Sequence, residues 1–227
     1  MTTAKLRRDI IATLRWLEKR RLYSGRSGNV SVRGGSGFLI TPTGIPCDET
    51  KPADIVDVTL GGKPRGKLLP SSEWRFHRDI YRGRKEINAI VHTHSPFATA
   101  LSCLRRAIPP FHYMVAKAGG DTIRCARYAT FGTEALSRNA LKALAGRRAC
   151  LLANHGVIAV GANLTAARRL AEEVESICEQ FWRALQMGRP VLLPKAEMAR
   201  VIEKFKTYGV QPTRARARKR RKSKRRQ

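Results

Sequence analysis

The stretch Ala89-Ile90-Val91-His92-Thr93-His94-Ser95-Pro96 constrains this chain more than any other. An apolar run that closes on two histidines one residue apart is a strand delivering imidazoles to its end. Side chains alternate between the faces of a strand, so Ile90, His92 and His94 share a face, with the two imidazoles roughly 6–7 Å apart along it. A third histidine, His155, sits where the polar triplet Asn154-His155-Gly156 interrupts the apolar run from Leu151 to Ile158. Three neutral imidazoles leave a coordination position open, as in catalytic rather than structural zinc sites. The fourth partner expected is Glu73, because Pro70-Ser71-Ser72-Glu73-Trp74 reads as a helix start that would hold a carboxylate in place. A His-x-His pair alone is more often a core or surface feature, so the neighbouring motifs carry weight.

The elements around these stretches alternate. Leu6, Ile10, Leu14 and Leu17 predict an amphipathic helix over 5–22. Val30–Arg33, Phe38–Ile40 and Ile55–Val58 read as strands separated by glycine and proline turns, and 71–84 as a helix with Trp74, His77, Ile80 and Tyr81 on its apolar stripe. Pro96 suits the first turn of a helix over 97–104. Phe111–Val115 reads as a strand, 133–145 as a helix, and strands flank His155. A helix over 165–187 carries Leu170, Val174, Ile177, Phe181 and Leu185 inward. The last helix starts near Pro194, with Met198, Val201, Ile202 and Phe205 inward and Gly209 as its stop. The expected fold is α/β: a single domain with a mixed, largely antiparallel central sheet flanked by helices.

Composition shifts near Val210, which divides the chain into a domain over 1–210 and a basic, disordered tail over 211–227. The formal charge is +28, and the ten Lys and Arg of residues 213–227 account for only part of it, leaving +18 on the rest. A basic body helps gather anionic substrates, and a basic tail can hold nucleic acid or another polyanion. No apolar stretch approaches the roughly 20 residues of a membrane span, and the first residues lead into an amphipathic helix, so the expected location is the cytoplasm with no membrane partner. Five scattered cysteines without a Cys-x-x-Cys pair support neither a thiolate zinc site nor a disulfide framework.

Three polar stretches could present N–H groups and hydroxyls to an anion: Ser27-Gly28-Asn29, Thr43-Gly44 and Ser71-Ser72. Each alone is an ordinary turn. In order with the histidines, however, Ser27-Gly28-Asn29-Val30-Ser31, Ile40-Thr41-Pro42-Thr43-Gly44, Pro70-Ser71-Ser72-Glu73, His92-Thr93-His94-Ser95 and Ala153-Asn154-His155-Gly156-Val157 resemble the class II aldolase/adducin family. Within it, the ketose 1-phosphate aldolases are most similar. His112-Tyr113-Met114, Ala118-Gly119-Gly120 and Tyr128–Thr133 extend the resemblance, which runs from about Leu6 to Gly209.

The resemblance implies a mixed sheet flanked by helices. It also implies one Zn2+ per subunit on His92, His94 and His155, with Glu73 binding at rest and then acting as acid/base. Gly28, Asn29, Thr43, Gly44, Ser71 and Ser72 would cradle the phosphate, and Phe131 would wall the aldehyde pocket. The site would lie at a subunit boundary of a homotetramer, and Tyr113 of the neighbouring subunit would protonate the aldehyde oxygen. The implied reaction is cleavage of L-fuculose 1-phosphate or a similar deoxy-ketose phosphate to dihydroxyacetone phosphate and an aldehyde, through a metal-stabilised enediolate. The rivals are a 4-epimerase, which in the family usually has aspartate where Glu73 stands, a dehydratase, and a non-catalytic adducin-like module lacking the metal ligands.

Overall fold

The computed structural model describes residues 2–208 apart from Ser24. Gly209, the boundary near Val210 and the basic tail lie outside the described residues. Eight strands form one sheet: β1 (Asn29–Gly34), β2 (Gly37–Ile40), β3 (Val56–Thr59), β4 (Pro64–Arg65), β5 (Ala89–Thr93), β6 (Cys125–Ala126), β7 (Ala149–Leu152) and β8 (Gly156–Gly161). Their order across the sheet is β4-β3-β2-β1-β5-β8-β7-β6. Every pairing is antiparallel except β6 with β7. The expected class, a mixed and largely antiparallel sheet between helices, is what the chain forms.

Alternation along the central strands sorts their side chains into two apolar layers. On one face Ala89, Val91, Val157 and Ala159 pack with Leu6, Ile10 and Leu14 of α1 (Thr3–Lys19), with α3 (Pro96–Ser102), and with Leu170, Val174 and Ile177 of α5 (Leu164–Met187). On the other, Ile90, Ile158, Val160 and Phe38 meet Phe76, Ile80 and Tyr81 of α2 (Trp74–Gly83) and Leu136, Ala140 and Leu144 of α4 (Glu134–Leu144). All of β5, β7 and β8 is buried. Strands covered on both faces read as continuous apolar runs, which is why they stood out in the sequence.

Several boundaries differ from expectation. Phe111–Val115 is not a strand: Tyr113–Ala118 forms a 3-10 helix, opened by the His112 side chain accepting from the Met114 N–H and closed by Gly119 at φ 95°. A hydrophobic run too short to show a period reads equally as strand or helix, and here capping decides. Leu185, expected inward on α5, is exposed because the helix outruns the sheet. In α6 (Lys195–Phe205) only Met198 is fully buried, and Val201, Ile202 and Phe205 are partly covered. The two-residue strands β4 and β6 carry no readable alternation. No helix among the described residues is long and apolar enough to cross a membrane.

Gly156, which opens β8, lies against the end of β5. A Cβ on Gly156 would lie 2.4 Å from the Thr93 carbonyl oxygen. Gly156→Ala therefore forces the two strands apart and should cost about 1–3 kcal/mol, as overpacking does. Gly83→Ala, where nothing lies within 4 Å and φ is ordinary, should be neutral or slightly stabilising. Urea midpoints of the two variants test the contrast.

Candidate active site

At one end of the sheet the ends of β1, β5 and β7 converge with the start of α2. β5 stops at Thr93, so His94 lies just past the strand, where the chain turns toward α3. Glu175 of α5 fixes that turn. Its buried carboxylate accepts from Ser95 Oγ (2.7 Å) and from the backbone N–H groups of Phe97 and Ala98 (each 2.8 Å), satisfying the unpaired donors of the α3 N-terminus. His155 sits in the turn between β7 and β8. There Asn154 takes φ 52°, a conformation asparagine tolerates, and the backbone N–H groups of Asn154 and His155 donate to Ser102.

The three imidazoles meet in T-shaped pairs, their planes 73–83° apart and their centroids 4.8–4.9 Å apart. That is closer than the 6–7 Å expected of a regular strand, because His94 has left it. His92 is fully buried. Its Nδ1 donates to the Val157 carbonyl across the β5–β8 pair at 2.9 Å, which leaves the Nε2 lone pair free. His92 Nε2 stands 3.0 Å from His94 Nε2 and 3.1 Å from Glu73 Oε2, while His155 Nε2 is 3.2 Å from Glu73 Oε1.

A tetrahedral ion bonded at about 2.0–2.1 Å has ligand–ligand edges of about 3.3 Å. The separations of 3.0, 3.1 and 3.2 Å are near that, and one donor atom from each of Glu73, His92, His94 and His155 lies within 4.8 Å of all the others. Glu73 Oε1 is buried and receives no hydrogen bond, a state a cation would relieve. The donor set thus fits a divalent metal with nitrogen preference, and it is the set expected from sequence.

Electrostatics agree. Burial pushes the His94 pKa down to about 3, with His92 and His155 adding to it. His155 falls to about 4 mainly by burial, so both rings are neutral, as ligands must be. Burial alone would raise the Glu73 pKa. The His92 and His155 rings and the Asn29 amide outweigh it and hold the carboxyl well below the usual range.

Above the cluster opens a cleft of about 310 Å³. Gly28, Asn29, Thr43, Gly44, Ser71 and Ser72 all line it, as does Phe131, which is 63% exposed. Gly28 is required to be glycine: its φ is 100° and an added Cβ would lie 2.6 Å from the His92 carbonyl oxygen. Ser71 and Ser72 precede α2 proper, and the Ser71 hydroxyl accepts from the Glu73 N–H. Tyr113 is not brought there. It lies half exposed on another surface, its ring stacked near Phe205.

Four residues escaped the sequence reading. Arg26, the only Lys or Arg among the described residues lining the cleft, stands one residue before the Ser27-Gly28-Asn29 turn. Tyr128 lines the rim, and Glu175 looked like one more charge on a long helix. His77, read as a core or interface residue on the apolar stripe, hydrogen-bonds Asn29 and Ser31; its spacing of four from Glu73 was the available signal.

Comparison with known proteins agrees with this geometry. The family described as "Class II Aldolase and Adducin N-terminal domain" matches residues 8–182. A 5-methylthioribulose-1-phosphate/5-deoxyribulose-1-phosphate aldolase of Rhodospirillum rubrum is 55% identical over 204 residues, 90% of this chain and 92% of that protein. An L-fuculose phosphate aldolase of Escherichia coli K12 is 48% identical over 211 residues, 92% of this chain and 98% of that one. A solved L-fuculose 1-phosphate aldolase superposes with a TM-score of 0.87 at 43% identity, covering 91% of this chain and 98% of that structure. The chain belongs to the class II aldolase/adducin family, and among its members to the lyases of aldolase type.

The depressed histidine pKa values carry a sign. His77, His94 and His155 are held near 3–4 when folded, against 6.5 for a free imidazole. The unfolded chain therefore takes up protons first. In metal-free protein the stability is complete above about pH 6.5 and should fall as pH drops toward 4, by up to about 1.4 kcal/mol per pH unit for each ring. Urea unfolding of chelator-treated protein at pH 7 and pH 5 measures it; equal stability would contradict the neutral-ring assignment.

Proposed function

We propose that this protein cleaves a ketose 1-phosphate with a deoxygenated far end to dihydroxyacetone phosphate and an aldehyde. The observation that carries the reading is a carboxylate and three imidazoles gathered at the floor of a cleft lined by Gly28, Asn29, Thr43, Gly44, Ser71 and Ser72, whose N–H groups and hydroxyls suit an anion. The relatives' names point the same way, since L-fuculose, 5-deoxyribulose and methylthioribulose phosphates all lack a hydroxyl at the end remote from the phosphate.

His92, His94 and His155, with Glu73 at rest, would hold the divalent ion, for which zinc is the natural choice. When bound, such an ion supplies Lewis acidity to the ketose oxygens. The N–H groups and hydroxyls of Gly28, Asn29, Thr43, Gly44, Ser71 and Ser72 bind the phosphate and hold the three-carbon unit in register. These groups are uncharged, and Arg26 at the rim supplies the positive charge a dianion favours.

In the cleavage the C4 hydroxyl loses its proton, the C3–C4 bond breaks with its electrons going to C3, and C3 then takes a proton. Glu73, a carboxylate at rest, would take up a proton from solvent as it leaves the imidazoles and deliver it to C3, while the C4 proton passes out to solvent in exchange. Phe131 and Tyr128 would give the aldehyde end an apolar wall. In this reading Tyr113 serves the cleft of a neighbouring subunit in a homotetramer and handles the C4 proton. The enzyme works in the cytoplasm, and the Arg/Lys-rich tail holds nucleic acid or another polyanion.

The test is a coupled assay of dihydroxyacetone phosphate from L-fuculose 1-phosphate and from 5-deoxyribulose 1-phosphate, run beside ribulose 5-phosphate epimerisation. Triose release from at least one deoxy-ketose is expected, and an epimer formed without triose would overturn the assignment. His92→Ala should abolish turnover together with metal content. Glu73→Gln should lower kcat by about 100-fold or more. Arg26→Ala should raise KM for the phosphorylated ketose about tenfold with kcat little changed.

A further inference from the structure

Behind Glu73 runs a single file of buried hydrogen bonds whose direction is set from one end. A carboxylate can only accept, so Asn29 meets Glu73 Oε2 with its Nδ2 group at 2.9 Å. That turns Asn29 Oδ1 toward His77 Nε2, which must then carry the ring proton. His77 Nδ1 is left as an acceptor and takes the Ser31 hydroxyl proton at 2.7 Å, and Ser31 Oγ accepts in turn from the Tyr81 hydroxyl at 2.8 Å. Burial holds the His77 pKa down to about 3, in keeping with one proton on the ring. None of the four supporting side chains is more than 2% exposed.

The file is a product of two periods. Glu73, His77 and Tyr81 recur every four residues along one face of the α2 segment, and Asn29 and Ser31 every two along β1. Asn29 pairs with His92 across β1 and β5, so the same register that places the imidazole places the amide. A carboxamide by itself has two orientations, and the wrong one would set Oδ1 against the Glu73 carboxylate. His77 Nε2–H on Oδ1 selects the other.

We propose that His77 is a positioning residue for the cleavage: through Asn29 it fixes the Glu73 carboxylate against His92 and His155, the position from which Glu73 moves to handle the proton. The proposal rests on the function proposed above. Partners of this kind, removed from other metal sites, typically cost about 10–100-fold in activity or metal affinity.

The experiment uses the full chain loaded with cobalt(II), whose visible spectrum reports the ligand set, and compares His77→Leu, His77→Gln, Asn29→Ala and the double variant. His77→Leu should lower kcat about 10–100-fold with KM for the sugar phosphate within about twofold, and should shift the cobalt bands as Asn29→Ala does. The double variant should lose no more kcat than the worse single one, since both act on one file. His77→Gln, which can place an amide N–H where Nε2–H stood, should restore the wild-type spectrum and most of kcat.

A folded His77→Leu with unchanged kcat and spectrum, or losses that simply multiply in the double variant, would overturn the proposal. If His77→Leu does not fold, Ser31→Ala carries the test: a smaller loss in the same direction supports it, and no change in kcat or spectrum sinks it. Should the wild type bind no cobalt and cleave no sugar phosphate, the functional reading fails. Crystal structures of His77→Leu and His77→Gln still decide the positioning claim, since Asn29 and Glu73 must move in the first and stay in the second.

Discussion

One hydrogen bond, from His92 Nδ1 to the Val157 carbonyl oxygen at 2.9 Å, ties the chemistry of this protein to its sheet. It spans the central β5–β8 pair, in which His92 lies opposite Ile158 and Thr93 opposite Val157. With Nδ1 committed to the backbone, Nε2 has one direction left, toward His94, His155 and Glu73. A slip of one residue in that pairing would turn His92 to the opposite face and set the apolar side chains of β5 against the wrong layer. Register in a sheet buried on both sides is strongly specified, so the core enforces the ligand geometry.

Much of this was legible in the residues. The strand carrying His92, the turn holding His155 and the polar turns before β1, after β2 and before α2 are local patterns, and the structure brings them to one end of the sheet. What local pattern could not supply is contact between elements. His94 stands closer to His92 than a strand allows because Glu175, 80 residues on from Ser95, caps the helix that follows. Tyr113 sits on a 3-10 turn rather than a strand because the His112 side chain caps it, and five residues hold too little periodicity to reveal that. His77 looked apolar because its polar partners arrive from β1.

If the cleft takes a sugar phosphate as proposed, the charge distribution separates two tasks that such a site must perform. A body carrying a large positive charge draws in anions over a long range, an effect that salt screens beyond about 8–10 Å. In the proposed function, recognition falls instead to the neutral N–H and hydroxyl groups lining the cleft, with Arg26 at the rim. Cationic side chains deeper in the cleft would face the imidazole cluster and compete for Glu73. Keeping the inner wall uncharged leaves the carboxylate to the cluster.

Glu73 is the group on which these demands conflict. A proton carrier must be able to leave its ligands, while a carboxylate only 6% exposed needs compensation wherever it stands. The structure divides that compensation between the imidazoles on one side and Asn29 on the other. A carboxylate held only by the imidazoles would have nothing to steady it once it withdrew from them. In the proposed reaction the amide, itself hydrogen-bonded to His77 and set in β1, would give Glu73 a partner that does not move with the substrate. Such a partner keeps the motion of the acid short and repeatable, as proton transfer within hydrogen-bond reach of a carbon requires.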